Sequence, residues 1–307
     1  MPKDKSRLQI KLEYFAARAL LGAFGLLPLR ASMSAGAWFG RLFGQLAAKR
    51  LRRVGMRNLE IAFPEADEAQ RRKILRGCFE SLGRQLGLVS RLPRLSLENL
   101  PEIISVEGIE HCAAAYATGR GVLFFTAHFG GWEAAHFPIS AAGFPINIII
   151  RQIDNPLIEA FVNNLRTRFG ARTIDKKKSA RGMFRLLKSG EIVGVLADLN
   201  MQEHEGVFVD FFGVPASTTV AVAKLALRSN AVVLPFFAVW RPERRKYVLQ
   251  IEPPVQFNPT GDDEADTREL TQQVTKIIED YARRYPDQWF WIHKRWNTRP
   301  EGEKLLY

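Results

Sequence analysis

Short apolar runs alternate with helical segments from about residue 60 to the end of this 307-residue chain, and this alternation restricts the fold more than any other feature. Three runs are bounded by glycine or charged residues and read as buried strands of a parallel sheet: 122–127 (VLFFTA), 146–150 (INIII) and 192–197 (IVGVLA). Two further runs flank a charged turn and predict a strand pair: 232–240 and 247–251.

Apolar residues at helical spacing lie between and around these runs. They predict helices at 74–89, 156–165, 179–190 and 270–281. The order of strands and helices predicts an α/β fold, in which residues 60–307 form a single domain with a mixed, mostly parallel central sheet flanked by helices. Three consecutive lysines at 176–178 predict a solvated loop.

The first 59 residues differ from the domain in charge and apolar content. Between Tyr14 and Leu59 there is no acidic residue, whereas eight Lys and Arg residues fall there. The most apolar stretch, residues 14–29, is interrupted by Arg18 and is shorter than the roughly 20 apolar residues of a membrane-spanning helix. We therefore predict that residues 1–59 form a helical arm that anchors the protein to an anionic membrane surface, lying on the membrane or marginally spanning it. The alternative is an amphipathic helical hairpin packed on the protein's own surface.

Composition limits the remaining classes. Hydrophobic residues make up 47% and charged residues 25%, which excludes disordered and fibrous proteins. The net charge of +12 suits an anionic partner, which can be a membrane, a nucleic acid or an acidic protein. The two cysteines, Cys78 and Cys112, cannot frame a disulfide scaffold or a zinc finger.

The strongest chemical signal follows the first predicted strand, in residues 126–133 (TAHFGGWE). His128 lies where the strand ends, at the edge where open parallel sheets bind ligands. Gly130 and Gly131 permit a bend that brings Glu133 into the first turn of the next helix, where its carboxylate can return to the imidazole. A carboxylate on one ring nitrogen makes the other a better general base, so we predict that His128 and Glu133 are the catalytic pair. The alternative is a buried histidine satisfied by a carbonyl, with the glycines serving only a turn.

Other chemistries lack their motifs. Glu133 and His136 form an E-x-x-H pair, but a two-metal site of that type needs a second such motif and the sequence has none. H-E-x-x-H, G-x-S-x-G, a Walker phosphate loop and G-x-G-x-x-G are absent from the sequence. We therefore expect neither a metal nor a cofactor. A histidine and carboxylate pair without a protein nucleophile favours direct transfer of a group to a hydroxyl that the histidine deprotonates.

Five blocks, in order along nearly the whole chain, resemble the lipid A biosynthesis acyltransferases, the late lauroyl and myristoyl transferases of Gram-negative bacteria. This family lies within the wider glycerolipid and lysophospholipid acyltransferase superfamily, whose signature is H-x4-D/E. The blocks are 128–133 (HFGGWE), Arg151 with 154–156 (DNP), 196–200 (LADLN), 211–216 (FFGVPA) and 286–296 (PDQWFWIHKRW). Leu199 departs from the family pattern, because many members carry a polar residue there.

The resemblance implies an O-acyltransferase of lipopolysaccharide biosynthesis. The donor would be acyl carrier protein, and the acceptor a glycolipid hydroxyl on a lipid A precursor of the Kdo2-lipid IVA type. The resemblance also implies that Arg166 and Asp198 join the catalytic pair near the active site, and that Arg151, Arg166 and Asp198 bind the substrate. It places the protein at the cytoplasmic face of the bacterial inner membrane, held there by the N-terminal arm, with no nucleic acid partner.

The sequence leaves several alternatives open. The acceptor can be another glycolipid, such as a phosphatidylinositol mannoside, or a lysophospholipid. A non-enzymatic basic protein that binds a membrane or nucleic acid would carry the same charge, but it would not need the His128 block. Residues 207–215 (VFVDFFGVP) form either a wall of an acyl slot or an edge strand. The tryptophans of 289–296 form either a membrane-interface belt or alternate residues of a core strand.

Overall fold

Helices form the N-terminal part of the described chain. The computed structural model describes residues 5–175 and 179–307, so the loop predicted at 176–178 lies outside the described residues. The first helices are α1 (Arg7–Gly25), α2 (Leu29–Leu46), α3 (Lys49–Ala62), α4 (Glu68–Arg91) and the short α5 (Leu100–Ile103). A capping box begins α4: the Asp67 carboxylate accepts a hydrogen bond from the Gln70 N–H, and the Gln70 side chain accepts one from the Asp67 N–H.

A seven-stranded sheet forms the centre of the fold. Its strands are β1 (Ile104–Glu107), β2 (Val122–Thr126), β3 (Ile146–Ile150), β4 (Arg172–Asp175), β5 (Ile192–Leu196), β8 (Val232–Arg241) and β9 (Lys246–Ile251), while β6 (Gly206–Phe211) and β7 (Val214–Thr219) form a separate antiparallel hairpin. The order across the sheet is β1-β9-β8-β2-β5-β3-β4. Only β8 and β9 pair antiparallel among these neighbours, which confirms the mixed, mostly parallel sheet.

Helices cover both faces of this sheet. They are α6 (Ile109–Ala117), α7 (His136–Ala141), α8 (Pro156–Arg166), α9 (Ser179–Lys188), α10 (Ala221–Ser229) and α11 (Asp263–Arg284). Alternate side chains of β2 point to opposite faces: Val122 and Phe124 join one hydrophobic core cluster, and Leu123 and Phe125 join the other. Because both faces are covered, β2 is buried at every position and is apolar except at Thr126, which fits the buried strand predicted from the sequence.

The sequence analysis predicted the central strands and missed the outer ones. Both β1 and β4 are four residues long, contain polar residues and lie at the two edges of the sheet, so neither has a clear apolar run. Residues 207–215 lie in the β6–β7 hairpin, which agrees with the strand interpretation of this segment.

Close packing joins the N-terminal arm to the domain. A Cβ atom added at Gly40 would lie 2.1 Å from the Phe79 carbonyl oxygen of α4, and one at Gly83 of α4 would lie 2.1 Å from the Gly36 carbonyl oxygen of α2. The two helices therefore touch backbone to backbone. The domain boundary predicted after residue 59 falls inside α3, where Leu59 is fully buried in the core. Within residues 5–175 and 179–307, no helix has the length and apolar character needed to cross a membrane.

We expect Gly83→Ala to destabilise the protein, because the added methyl group meets the Gly36 carbonyl oxygen and forces α2 away from α4. Overpacking of this kind lowers the free energy of unfolding by roughly 1–3 kcal/mol. Gly22→Ala in α1 is the matched control: a methyl group there has no described neighbour within 4 Å, and Ala is the better helix former by about 1 kcal/mol. Urea denaturation measures both variants, and equal stabilities would contradict the close crossing.

Candidate active site

Two neighbouring strands bring an imidazole and a carboxylate together. β2 and β5 are parallel and in register, with Thr126 opposite Leu196. His128 and Asp198 each follow two residues after these partners. Both therefore lie at the carboxyl edge of the sheet, where open α/β folds bind their ligands.

Asp198 holds His128 by its ring and by its backbone. Oδ1 of Asp198 lies 2.8 Å from Nδ1 of the imidazole, and Oδ2 accepts a hydrogen bond from the His128 backbone N–H at 2.9 Å. Oδ2 also accepts from the indole N–H of Trp289 at 3.0 Å. Asp198 is only 2% exposed, so the three hydrogen bonds replace the water that its carboxylate has lost.

Burial and charge act in opposite directions on the pKa values of this pair. Burial alone would raise the pKa of Asp198, but the charge and hydrogen bonds of His128, with the charge of Arg295, lower it below its usual value. Burial alone would lower the pKa of His128, but the charge and hydrogen bond of Asp198, with the charge of Glu133, raise it above 6.5. An ionised Asp198 only accepts hydrogen bonds, so it keeps the proton of a neutral His128 on Nδ1 and leaves the lone pair on Nε2.

Glu133 does not make the contact with the His128 ring that the sequence analysis predicted. Its two carboxylate oxygens accept hydrogen bonds from Arg166, Oε2 from Nε at 3.0 Å and Oε1 from Nη2 at 2.7 Å. Burial alone would raise the pKa of Glu133, but the hydrogen bonds and charge of Arg166 lower it. Asp198 occupies the Nδ1 side of the imidazole, and the planar guanidinium of Arg166 matches a carboxylate with two parallel hydrogen bonds. In the described structure, Glu133 acts on His128 through its charge.

The two glycines make the bend that the sequence analysis predicted. Gly130 has φ +52°, in the left-handed region that favours glycine, and its N–H donates to the Gln288 carbonyl at 2.9 Å. The Gly131 N–H donates to the Ala238 carbonyl at 2.8 Å. A Cβ atom at Gly130 would lie 2.0 Å from that same carbonyl oxygen. The chain then forms a single 3₁₀ turn, from which Glu133 points towards α8.

Arg166 is held at its side chain and at its backbone. It is the last residue of α8, and its carbonyl oxygen lies 2.9 Å from Nε2 of His136. Burial lowers the pKa of His136 to about 4, so its ring is neutral and Nε2–H donates to this carbonyl. Of the E-x-x-H pair, Glu133 therefore binds the guanidinium of Arg166, and His136 binds its backbone carbonyl. Within the described ranges, no three His, Cys, Asp or Glu side chains come together as metal ligands would.

A cavity of about 240 Å³ opens beside these groups. Four of the five predicted site residues line it: His128, Glu133, Arg151 and Arg166. The fifth, Asp198, is buried outside the cavity lining and contacts the His128 ring at Nδ1. The apolar lining comes from Trp132, from the isoleucines of β3 and from Phe236 of β8. The cavity thus combines a base, a cation and an apolar wall.

The C-terminal block supplies site residues that the sequence analysis did not assign. Trp289 donates to Asp198, and the ring of Phe290 lies 5.6 Å from that of His128. Trp289, Trp291 and Trp296 are at most 2% exposed, so these tryptophans lie in the core and the membrane-interface interpretation is wrong. The described segment 289–296 forms turns and one isolated bridge, and the core strand that the sequence suggested as the alternative does not form there. Their contact with the site depends on a tertiary bridge between Phe129 and Trp289, for which the local sequence carries no signal.

Known proteins match almost the full length of this chain. A family model described as bacterial lipid A biosynthesis acyltransferase matches residues 1–298. The chain is 34% identical over 265 residues to the lipid A biosynthesis lauroyltransferase of Escherichia coli K12, covering 84% of this chain and 83% of that relative. It is 29% identical over 274 residues to the palmitoleoyltransferase of the same organism, covering 88% and 87%. It is 26% identical over 273 residues to the myristoyltransferase, covering 87% and 81%. Because the family model spans nearly the whole sequence, the chain is an O-acyltransferase and belongs to the bacterial lipid A biosynthesis acyltransferase family.

Proposed function

We propose that this acyltransferase moves a fatty acyl chain from an acyl carrier protein thioester to a hydroxyl of a lipid A precursor of the Kdo2-lipid IVA type. The observation that carries the proposal is the His128 and Asp198 pair at the edge of a cavity that also holds Arg166. The names of three relatives, which transfer lauroyl, palmitoleoyl and myristoyl groups in lipid A biosynthesis, support this acceptor.

In the proposed mechanism, His128 is the general base. Its Nε2 takes the proton of the acceptor hydroxyl as that oxygen attacks the thioester carbonyl carbon, so a C–O bond forms and the carbonyl oxygen becomes an oxyanion. The C–S bond then breaks, the ester is released, and the imidazolium returns the proton to the departing thiolate. Asp198 holds the ring in the required tautomer and stabilises the imidazolium by its charge. This assigns to Asp198 the orienting role that the sequence analysis gave to Glu133.

Glu133 is a positioning residue for Arg166 in this mechanism. The carboxylate binds two of the five N–H groups of the guanidinium, which fixes its plane in the cavity wall. The other N–H groups can stabilise the oxyanion or bind a phosphate of the acceptor. Arg151 lines the same cavity and is exposed, so it suits an acceptor phosphate better than the oxyanion.

Charge and exposed apolar surface support the proposed partners. A chain with net charge +12 attracts an acidic carrier protein and an anionic membrane surface. Helices α1 and α2 and the turn between them expose large apolar side chains, each more than 60% accessible: Leu8, Leu12, Phe15, Leu26, Trp38 and Leu46. Apolar faces beside basic residues are typical of helices that lie in the membrane interface. We place the reaction at the cytoplasmic face of the inner membrane.

Expression in a Gram-negative host that lacks its own late acyltransferases tests the function. Mass spectrometry of the lipid A fraction should show one added acyl chain, because the host accumulates the underacylated acceptor. His128→Ala, checked for folding by circular dichroism, should remove the added chain, since the other acid–base groups described on the cavity wall, Glu133 and His136, are both bound to Arg166. An unchanged lipid A profile with folded wild-type protein would contradict the acceptor.

The acyl donor is tested in vitro with the purified enzyme. The same acyl chain is offered at equal concentration on acyl carrier protein and on coenzyme A. The proposal expects the carrier protein thioester to react with the higher kcat/KM. A preference for the coenzyme A thioester would overturn the carrier protein as donor and favour the other glycolipid or lysophospholipid acceptors.

A double-mutant cycle tests the role of Glu133. Glu133→Ala and Arg166→Ala should each lower kcat on the order of 10²-fold. The kcat of the double variant should equal that of the less active single variant, because both changes break the same interaction. If the charge of Glu133 on His128 contributes to kcat independently of Arg166, the two effects will multiply. The control pair is Arg172→Ala and Glu191→Ala, whose side chains lie 3.3 Å apart and outside the cavity, and these variants should keep near wild-type kcat.

A further inference from the structure

A second, strongly basic cavity lies between α2, α3 and α4, and we call it the basic groove. Its volume is about 860 Å³, and it shares no lining residue with the active-site cavity. Seven of its fourteen lining residues are Lys or Arg, and only Glu68 is acidic. Met56, Leu75 and Phe79 give it an apolar lining as well. The combination suits a ligand that has an anionic group joined to an apolar body.

Three cations of the basic groove are available to an anion. Lys49, Arg53 and Lys73 are exposed and make no ion pair or side-chain hydrogen bond with the part of the chain that the structure describes. Other basic residues of the groove serve the fold: Arg52 donates to the Gly44 carbonyl at 2.7 Å, and Arg72 pairs with Glu68 at 2.6 Å. The basic groove therefore contains positively charged side chains that are not needed for contacts within the described structure.

The basic groove opens beside the exposed apolar face of α2. At about 100° per residue, Arg41 and Gln45 lie roughly 60–100° around the helix from Gly44, which faces α4. Trp38 and Leu46 follow at roughly 120–200° in the same direction, and they are 63% and 79% exposed. Around the circumference of α2, the side that contacts α4 is therefore followed by the basic groove and then by the exposed apolar face. The tight packing of α2 on α4 fixes this order in space.

We propose that the basic groove binds the phosphate group of an anionic membrane phospholipid, whose acyl chains enter the bilayer beside Trp38 and Leu46. The proposal rests on the membrane association proposed above and adds a defined headgroup site to it. The phosphate matches the three available cations, and the first methylene groups of the acyl chains match the apolar lining of Met56, Leu75 and Phe79. The adjacent apolar face favours a lipid over an acidic protein, because a protein bound by charge alone would leave these large side chains in water.

Vesicle binding of charge-matched variants tests the headgroup site. The groove variant carries Lys49→Gln, Arg53→Gln and Lys73→Gln. The control variant carries Lys188→Gln, Lys224→Gln and Arg228→Gln, exposed positions of α9 and α10 with the same loss of charge. Sedimentation is measured with phosphatidylcholine vesicles, with and without phosphatidylglycerol. The groove variant should lose on the order of 10- to 100-fold in partitioning to the anionic vesicles, and the control variant should lose much less.

Each other outcome overturns the inference in a different way. Equal losses in the two variants would show attraction by diffuse charge, without a site. Failure of the wild-type protein to bind either vesicle would overturn the membrane association itself, independently of the lipid A measurement. A groove variant that binds vesicles normally but has a raised KM for acyl carrier protein would assign the groove to that protein. All six positions are exposed, so thermal denaturation should show both variants folded.

Discussion

The buried carboxylate of Asp198, just after β5, needs hydrogen bonds and a nearby positive charge, and the other residues of the active site are arranged to supply them. An unpaired charge at the depth of Asp198 would cost several kcal/mol, and the His128 ring, the His128 backbone and the Trp289 indole together offset that cost. These three contacts require β2 and β5 in register, and they require the C-terminal block to return across the sheet edge. The bridge between Phe129 and Trp289 and the bond from Gly130 to Gln288 hold it there. One ionised group thus links the orientation of the base to three distant segments of the chain.

The sequence predicted what depends on local pattern and missed what depends on pairing. A buried strand such as β2 is almost entirely apolar, and the glycines after β2 indicated a bend, so both were predictable. Glu133 was close to His128 in sequence, and that proximity suggested a contact that the structure gives to Asp198, 70 residues away. The missing information was the strand order, because β2 and β5 are neighbours with equal offsets to His128 and Asp198. The sequence did carry one usable signal for this contact: His128 and Asp198 are both ionisable, and each follows its apolar run at the same distance.

Direct contacts join the N-terminal helices to the active site. Asn58 of α3 donates to the carbonyls of Trp291 and His293, in the same block that holds Asp198. Asn155, at the start of α8, donates to the Ile10 carbonyl of α1, and α8 ends at Arg166. The apolar side chains of α1 and α2 are therefore held at a fixed position relative to the cavity. A membrane bound by these helices would lie at a fixed distance from the active-site cavity, which suits an acceptor that is itself a lipid.

The pKa of His128 tests most directly the claim that Asp198 sets the state of the base. It is measured by NMR titration of the imidazole and by the acidic limb of the kcat/KM profile, which rises as His128 loses its proton. In the wild-type protein the pKa should lie above 6.5. Asp198→Asn removes the main charge that raises it, so the pKa and the acidic limb should both move to lower pH, and by more than in Glu133→Gln. A larger fall in Glu133→Gln than in Asp198→Asn would contradict the account.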